Sequence, residues 1–487
     1  MSDQVPWDVV VIGGGNAGLV AAITARERVS RVLLLERAPA ALRGGNTRHT
    51  RNVRCVHDAG DAYTPGVYSY SELWNDLCAV GDGPSSEELA SLTVRESASV
   101  PSWMSSHGIR WQPPLTGTLH LGRTNRFFLG GGKALVNSYY RTALKAGLTV
   151  FYDCTVEDIE VSGDRCTGVV ISRGPAGRSR IEARSVVCAS GGFEANLDWL
   201  RRYWGDAADN FLVRGPATND GRVLAALYEL GAARAGQERG FHSVAIDARS
   251  PRFDGGIATR LDSIPFSVVV NSAGERFYDE GEELWPKRYA IWGRNIAGQP
   301  GQIAYSIWDS PVNRLFLPPM YGPVTAGDVA GVARALGLAP DPVTATVAGF
   351  NKAVAAAGFD PSRFDPSRLD GCRTEGLVPQ KSNWARPVDT PPFYGIAMRP
   401  GITFTFMGVQ VTRQAQVRTT DGGTFRNVFA AGEIMSGNVL SSGYLGGFGL
   451  TIGTVWGRIA GASAAVAARS REAGSREDRP GKKGSAS

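Results

Sequence analysis

Cysteine and histidine are both scarce in this chain, which has six cysteines and five histidines among 487 residues. The cysteines lie far apart and form no CxxC pair, which excludes a zinc or iron–sulfur site built on such pairs. Isolated cysteines in a long chain are typical of free thiols in a reducing compartment, so we expect a cytoplasmic protein. The six positions are Cys55, Cys78, Cys154, Cys166, Cys188 and Cys372.

Long apolar runs are also missing. No apolar stretch approaches the roughly 18 residues that a membrane-spanning helix needs. The first apolar run, at residues 9–12, is broken at once by Gly13, Gly14 and Gly15, so the N-terminus does not resemble a secretory leader. We therefore expect no membrane span.

A basic face is missing too, although the formal net charge is +6. Half of that excess lies in the last nineteen residues, which hold six Lys and Arg against three acidic residues. The other arginines are scattered along the chain, whereas a nucleic-acid binder concentrates them on one face, so no nucleic-acid partner is expected. We predict that residues 469–487 form a disordered basic tail, with a functional basic arm as the alternative.

Glycine, by contrast, is abundant, with 61 glycines against 27 prolines and a hydrophobic content of 43%. These values describe a globular chain with many close backbone turns and exclude collagen and coiled coil. The length predicts two or three domains, or one large α/β domain that carries an insertion.

The most informative glycines follow a β-branched run at residues 7–12, which is typical of a buried parallel strand. Gly13, Gly15 and Gly18 complete a GxGxxG pattern, a small-residue helix comes next, and a second apolar strand ends in Glu36. In such a unit the glycines permit a tight turn, the approach of a pyrophosphate and close helix packing, while the acid holds ribose hydroxyls. The pattern predicts a dinucleotide site formed by Gly13, Gly15, Asn16, Ala17, Gly18, Glu36 and Arg37.

A second glycine cluster distinguishes among the dinucleotides. It lies at residues 43–47, shortly after Glu36, and places another backbone segment beside the cofactor. NAD enzymes rarely need such a segment, and an acid at the ribose disfavours the 2′-phosphate of NADP. FAD is therefore the expected cofactor.

Five segments together resemble the fumarate reductase/succinate dehydrogenase flavoprotein family over nearly the whole chain. They are GGGNAGLVAA with the later Glu36, GGNT at 44–47, ASGG at 189–192, NSAGERFYDE at 271–280, and AAGE with the final glycine-rich helix. Within that family, NTRHTRNVRCVHD, GGGKALVNSYY and SSGYLGGFGLTIGTVWGRIAG are similar to the tricarballylate dehydrogenase branch, which includes a related flavoprotein of an aerobic cobalamin pathway.

The resemblance implies an α/β fold with a discontinuous Rossmann-like FAD-binding domain and an inserted α+β capping domain. A dense set of aromatic residues and arginines after residue 236 suits the cap. The expected divisions are the FAD-binding domain at residues 1–235 and 386–468, and the capping domain at residues 236–385.

The resemblance also extends the cofactor site. The start of the final helix is expected near flavin N1 and O2, where a positive helix end stabilises the reduced anion. Covalently flavinylated members carry their histidine nearer Thr47 than His49, so FAD is expected to bind noncovalently. The further implied contacts are Gly44, Gly45, Asn46, Thr47, Gly132, Val156, Ser190, Gly191, Gly432, Glu433, Gly449 and Leu450.

Dehydrogenation of a C–C bond sends a hydride to flavin N5 while a base removes the proton from the neighbouring carbon. In the family the proton-transfer residue is an arginine shortly after an RFxxE segment, and Arg276 with Glu280 sets that register here. The matching residue is Arg288, and Tyr289 is the second catalytic candidate. Because arginine is normally never deprotonated, Arg288 is an easier proton donor than base, and an ion pair with a nearby glutamate is its alternative role.

The chain departs from the family where the family binds a dicarboxylate. Phe404 replaces a histidine, Tyr444 replaces a late arginine, and Arg260 stands where a proton-relay glutamate is expected. A plain succinate or fumarate site is therefore not expected, and other cations that suit a tricarboxylate are available. Pairing of these cations with local acids is the alternative. The substrate-binding candidates are Arg51, Arg54, His57, Arg123, Phe404 and Tyr444, with His120 and Arg126 nearby.

Three functions stay open at this point. The first is FAD-dependent dehydrogenation of a CH–CH bond in a polycarboxylic acid, such as tricarballylate to cis-aconitate. Phe404, Tyr444 and the cap tryptophans equally suit an apolar pocket, so oxidation of a tetrapyrrole or secondary metabolite is the second. The third is a flavin electron-transfer subunit of a partner complex. Because the chain has no cluster ligands, electrons are expected to leave to oxygen, a quinone or another protein.

Overall fold

The computed structural model describes residues 5–81, 83–114, 121–283 and 289–477. Within these ranges the strands are β1 Trp7–Ile12, β2 Val32–Leu35, β3 Asn52–Arg54, β4 Trp111–Gln112, β5 Asn125–Phe128, β6 Thr149–Phe151, β7 Cys154–Ser162, β8 Arg165–Arg173, β9 Arg178–Cys188, β10 Leu212–Val213, β11 Arg234–Ala235, β12 Phe241–Asp247, β13 Val268–Asn271, β14 Ala304–Asp309, β15 Val324–Ala326, β16 Phe393–Thr405, β17 Gly408–Val409, β18 Gln416–Arg418 and β19 Thr424–Ala430.

The α-helices of the described chain lie mostly in its first half and at its end. They are α1 Asn16–Arg26, α2 Tyr70–Ala79, α3 Glu87–Glu96, α4 Val100–Ser106, α5 Leu121–Thr124, α6 Gly131–Lys145, α7 Leu197–Trp204, α8 Arg222–Glu229, α9 Trp292–Ala297, α10 Val329–Ala335, α11 Pro340–Ala356 and α12 Phe448–Glu477. Among the described residues, none of these helices is both long and apolar enough to cross a lipid bilayer.

The larger sheet contains the predicted strand–helix–strand unit. Its strand order is β18-β19-β9-β1-β2-β6, and the run from β19 to β6 is parallel, while β8 joins β7 to β9 as an antiparallel extension. The side chains of β1 from Asp8 onward are buried, as a parallel strand covered on both faces requires. This arrangement confirms the expected α/β fold with a Rossmann-like core.

Small residues let α1 and α12 pack closely beside this sheet. A Cβ atom added at Gly457 would lie 2.7 Å from the Ala17 carbonyl oxygen, and one at Gly461 would lie 2.3 Å from that of Ala21. Both distances are too short for a side chain, so the two backbones approach each other only because these positions are glycine. The contact fixes the first half of α12 against α1.

The second sheet surrounds the long strand β16. β10, β12, β14 and β15 all pair with β16, and β13 pairs with β14. Its hydrophobic core is separate from that of the larger sheet and includes Trp292, Trp308 and Trp384. β16 ends at Thr405, whose N–H donates to Glu433 just after β19, so the two sheets meet there.

Two features differ from the expected domain limits. β10 and β16, which lie outside the expected cap at 236–385, belong to the same sheet as the cap strands, because strand pairing joins chain segments that are distant in sequence. The final helix continues to Glu477, past the expected start of the basic tail at residue 469. The division into domains stays a prediction.

Candidate active site

A long cavity runs between the two sheets, and residues of both sheets line it. Glycines and polar residues form one part of its wall, and aromatic and basic residues form another. One end is lined by the turn after β1, by Glu36 and by Val156, and the other end by His242, Arg260 and Tyr289. We refer to these as the nucleotide end and the substrate end.

The nucleotide end is shaped by the turn between β1 and α1. Gly13 has a φ of +103°, a conformation that favours glycine, and a Cβ atom at Gly18 would lie 1.8 Å from the Gly13 carbonyl oxygen. Gly15 is the N-cap residue of α1 and lines the cavity with Asn16 and Ala17. The positive end of α1 therefore points at this part of the cavity, as a pyrophosphate requires.

Glu36 lies at the end of β2, in the cavity wall. Its carboxylate accepts hydrogen bonds from the Ala38 N–H at 2.8 Å and the Gly44 N–H at 3.3 Å. Burial raises its pKa, and the hydrogen bonds oppose that effect. Arg37, also in the wall, forms an ion pair with Asp220 at 2.7 Å.

The second glycine cluster lies against the first. The Thr47 hydroxyl accepts a hydrogen bond from the Asn16 N–H at 2.9 Å, and Gly45, Asn46 and Thr47 line the cavity. Gly44 and Gly132 instead serve packing, since a Cβ atom at Gly132 would lie 2.1 Å from the Thr47 carbonyl oxygen. Ser190, Gly191, Gly432, Glu433 and Leu450 also belong to the lining.

His49 lines the cavity beyond this cluster. Its Nε2 atom lies 2.8 Å from Asp254 Oδ1 and 3.1 Å from Arg48 Nε. Noncovalent attachment of FAD stays a prediction.

The start of α12 meets the aromatic residues of the substrate end. The Gly449 N–H donates to the Tyr444 hydroxyl oxygen at 3.0 Å, and the Leu450 carbonyl accepts from Asn16 Nδ2 at 3.1 Å. Phe404 lies over Gly449, where an added Cβ atom would be 3.0 Å from its ring. Tyr444 thus lies at the start of α12, which is the part of the helix that we expect near flavin N1 and O2.

Three arginines line the substrate end. Arg51 leaves its Nε and Nη2 atoms without hydrogen-bond partners among the described residues, and Arg214 leaves its Nη1 atom without one. Burial, together with the charge of Arg260, lowers the pKa of Arg51 and of Arg214 to about 10. Arg260 pairs with Asp262 at 2.7 Å, so the group carries more positive than negative charge.

His242 and Tyr289 complete this end. His242 stacks on Tyr444 with ring centroids 3.8 Å apart, and burial and the nearby Arg214 and Arg260 lower its pKa well below the usual range. His242 is therefore a neutral imidazole at pH 7. Its Nδ1 atom has no hydrogen-bond partner among the described residues, and the Arg260 guanidinium lies 4.5 Å from the centre of the Tyr289 ring.

Three of the sequence-predicted cations lie elsewhere. Arg54 is fully buried and donates to the Gly446 carbonyl and the Tyr68 hydroxyl, Arg123 pairs with Glu72, and His57 bonds to the Cys55 carbonyl. None of these three belongs to the lining of the cavity, whereas Arg51, Phe404 and Tyr444 do. Arg288 and His120 lie outside the described residues.

Sequence reasoning missed Arg214 and His242 as site residues. Arg214 follows the two-residue strand β10, and His242 is the second residue of β12. Both strands pair with β16, which carries Thr403 and Phe404 to the same place. No local pattern marks either residue, because only strand pairing brings them together.

Comparison with known proteins identifies a family for most of the chain. A family model described as "FAD binding domain" matches residues 8–450. The chain is 27% identical over 473 residues to the NADH:fumarate oxidoreductase of Klebsiella pneumoniae (strain 342), covering 95% of this chain and 48% of that protein. It thus spans about half the length of that curated relative.

Two solved structures share the fold. The open conformation of a flavocytochrome c3 fumarate reductase has a TM-score of 0.72 and 23% identity, covering 96% of this chain and 79% of that chain. The 3-ketosteroid delta1-dehydrogenase from Sterolibacterium denitrificans has a TM-score of 0.73 and 17% identity, and the match covers 95% of this chain and 100% of that chain. Identities this low show the fold alone.

The residues at the nucleotide end fit FAD. The glycine turn and the N-terminus of α1 suit its pyrophosphate, Glu36 and Arg37 lie where its ribose is expected, and the cavity continues far enough to hold a flavin. The chain therefore belongs to the FAD binding domain family, whose model covers most of its length.

Proposed function

We propose that this protein dehydrogenates a CH–CH bond of a polycarboxylic acid, with tricarballylate as substrate and cis-aconitate as product. The observation that carries the proposal is the group of three guanidiniums at the substrate end, Arg51, Arg214 and Arg260. Only Asp262 pairs with this group through an ion pair among the described residues. Buried cations without equivalent counter-ions favour an anionic ligand.

The pKa values of the arginines support the same conclusion. A guanidinium whose pKa is lowered to about 10 lacks the anion that would stabilise its charge, as at Arg51 and Arg214. A bound carboxylate would supply that charge through forked hydrogen bonds. Among the described residues, Arg51 and Arg214 leave two buried positive charges unpaired, which requires a ligand with at least two carboxylates, and tricarballylate with its three carboxylates meets that requirement.

The neutral His242 and the hydroxyl of Thr403 supply uncharged contacts beside the cations. Thr403 Oγ1 and His242 Nδ1 both lack partners among the described residues, and both residues line the cavity. We assign them to hydrogen bonds with substrate oxygens. Contacts of this kind orient the substrate so that one C–H faces the cofactor.

FAD, when bound, supplies the acceptor for the hydride that leaves one carbon of the substrate. We assign the proton that leaves the neighbouring carbon to Tyr289 or Arg288. Tyr289 lies in the cavity wall beside Arg260, and the Arg260–Asp262 ion pair lies behind it. The two electrons then pass to a quinone, an acceptor protein or oxygen.

The aromatic residues of the substrate end favour a second candidate. Phe404, Tyr444 and Tyr289 line the same cavity and would suit an apolar ring system, such as a tetrapyrrole or secondary metabolite. A neutral apolar substrate would leave Arg51 and Arg214 buried without an anion, which is costly. The charges therefore favour the polycarboxylate.

An anaerobic titration tests the proposal. The purified flavoprotein is mixed separately with tricarballylate, citrate, succinate and an apolar ring compound, and the visible absorbance of oxidised flavin is followed. Bleaching by tricarballylate and formation of cis-aconitate are expected. Bleaching by the apolar compound alone would support the second candidate, and bleaching by no compound would favour an electron-transfer subunit.

A further inference from the structure

Two buried glutamates meet in the wall of the cavity. Glu194 follows β9 and is fully buried, and Glu433 follows β19 and is 8% exposed. Asn46 Nδ2 donates to both carboxyl groups, at 2.6 Å to Glu194 Oε1 and at 3.2 Å to Glu433 Oε2. The two carboxyls therefore lie side by side, and they contact each other directly.

The donors around this pair do not satisfy all of its oxygens. Asn219 Nδ2 donates to Glu194 Oε1 at 2.8 Å, and the Thr405 N–H donates to Glu433 Oε1 at 2.8 Å. Glu194 Oε2 is buried and has no donor among the described residues. A buried oxygen without a donor is costly, and a proton held between the carboxyls would satisfy it.

The charges of the two carboxyls also require a proton between them. Within the described residues, neither carboxyl forms an ion pair with a lysine or arginine, and each lies in the other's field. Two ionised carboxylates in contact without a cation would be strongly unfavourable. Burial raises the pKa of both groups, and the neighbouring Glu194 raises that of Glu433 further.

The charged side chains next to Asn46 and Asn219 are engaged elsewhere, and Arg214, whose neighbour Gly215 packs on Asn46, forms no ion pair with either glutamate within the described residues. Arg48 and His49, on the same 3-10 helix as Asn46, bind Asp254, while Asp220, next to Asn219, binds Arg37. Tyr444 is the titratable group near Glu433, and burial raises its pKa, so it carries no charge at pH 7. The pair must therefore balance its own charge.

We propose that Glu194 and Glu433 share one proton at neutral pH and act as a positioning pair for the FAD cavity. Asn46, which lines the cavity, is held by the pair and by the Thr403 carbonyl, and Thr405 fixes the end of β16 to Glu433. The shared proton keeps Asn46 and the end of β16 together. Loss of that proton would place two negative charges in contact, and their repulsion would separate these two parts of the cavity wall.

This inference rests on the FAD cofactor and not on the identity of the substrate. The pair titrates as a unit, so the pH at which its proton leaves belongs to both residues. Above that pH we expect the affinity of the protein for FAD to fall about tenfold per pH unit, which is the slope for the loss of one proton. The holoprotein should therefore release FAD.

The test compares FAD retention by wild type and by Glu194→Gln during ultrafiltration of the holoprotein at a series of pH values. The glutamine amide donates a hydrogen bond to Glu433 at every pH, so the variant should hold FAD with a flat profile across the alkaline range. Glu182→Gln, at an exposed residue paired with Arg180, is the control and should keep the wild-type slope.

Infrared spectroscopy provides a second measurement that does not depend on activity. The wild-type-minus-Glu194→Gln difference spectrum at pH 7 should contain the C=O stretching band of a protonated carboxyl. If Glu194→Gln does not fold, Glu433→Gln takes its place in both experiments. An alkaline slope that survives in the glutamine variant, or a difference spectrum without that band, would overturn the proposal.

Discussion

The rings of His242 and Tyr444 stack with their centroids 3.8 Å apart and an angle of 16° between their planes. Because the Tyr444 hydroxyl also accepts the Gly449 N–H, the stack joins strand β12 to the start of α12. It thus holds together the two elements that enclose the substrate end of the cavity.

His242 should act without changing its charge. Its lowered pKa keeps it neutral at pH 7, so His242→Asn should lower kcat/KM for the substrate while the shape of the pH profile between pH 5 and 8 is unchanged. Steady-state kinetics across this range would check the prediction. Loss of an ionisation from the profile in the variant would show that His242 titrates during turnover.

The same pKa shift has a defined effect on stability. Unfolding returns His242 to a pKa of about 6.5, so the unfolded chain takes up a proton as the pH falls below that value. The contribution of neutral His242 to stability is therefore complete above about pH 6.5 and decreases in acid. His242→Asn should lack this part of the acid destabilisation in thermal melts.

Arg214 should contribute to substrate affinity. Arg214→Met removes a buried guanidinium that is expected to bind a carboxylate, an interaction of about 1.5–3 kcal/mol, so KM for tricarballylate should rise about 10- to 100-fold. Arg201→Met is a matched control, because Arg201 is exposed and pairs with Asp209 on the surface. An unchanged KM in Arg214→Met would argue against the polycarboxylate site.

Arg54 should be a positioning residue rather than a substrate ligand. Its Nε atom donates to the Gly446 carbonyl at 2.9 Å, and an added Cβ atom at Gly446 would lie 2.2 Å from the Tyr289 hydroxyl. Arg54→Met should lower the free energy of unfolding by about 1–3 kcal/mol, because it removes a buried donor. The measurement is the Tm together with KM and kcat.

A direct role of Arg54 in binding would give a different result. The variant would then keep the wild-type Tm while KM rises sharply. A positioning role instead predicts a lower Tm and partial rescue of both stability and kcat by Arg54→Lys, which retains a donor and most of the side-chain volume.

Two glycines of the GxGxxG pattern, Gly15 and Gly18, should respond differently to substitution by alanine. At Gly18 a Cβ atom would lie 1.8 Å from the Gly13 carbonyl oxygen, so Gly18→Ala should prevent folding of the α1 turn. At Gly15 the nearest protein atoms are 3.5 Å and 3.6 Å away and φ is −79°, so Gly15→Ala should fold. Its Cβ would instead face the cofactor.

Absorbance of bound flavin and circular dichroism separate these outcomes. Gly15→Ala should retain the wild-type far-ultraviolet spectrum and lose yellow colour, whereas Gly18→Ala should lose both. Retention of FAD by Gly15→Ala would show that the pyrophosphate does not approach this residue.

The nucleotide end was largely predictable because its determinants are local. The strand at residues 7–12, the glycines and the acid at the end of the second strand act within one short unit, and β1, α1 and β2 form where the pattern indicates them. The α/β fold and FAD followed from that unit and the later glycine clusters. The site residues themselves stay predictions.

The substrate end was much less predictable. Arg51 and Arg54 are three residues apart and have the same chemistry, yet Arg51 lines the cavity and Arg54 lies beneath the Gly446 turn. The pairing of β3 with β5 sets the direction of these side chains, and this pairing has no signature in the local sequence. Residue type alone therefore could not rank them.

By itself, the sequence determined the glycine turn between β1 and α1, because backbone conformation and close approach depend on which positions lack a side chain. Tertiary structure alone decided that Arg214, His242 and Phe404 share one wall and that Glu194 meets Glu433. These residues are distant in the chain, and the pairing of β10 and β12 with β16 and of β9 with β19 brings them together.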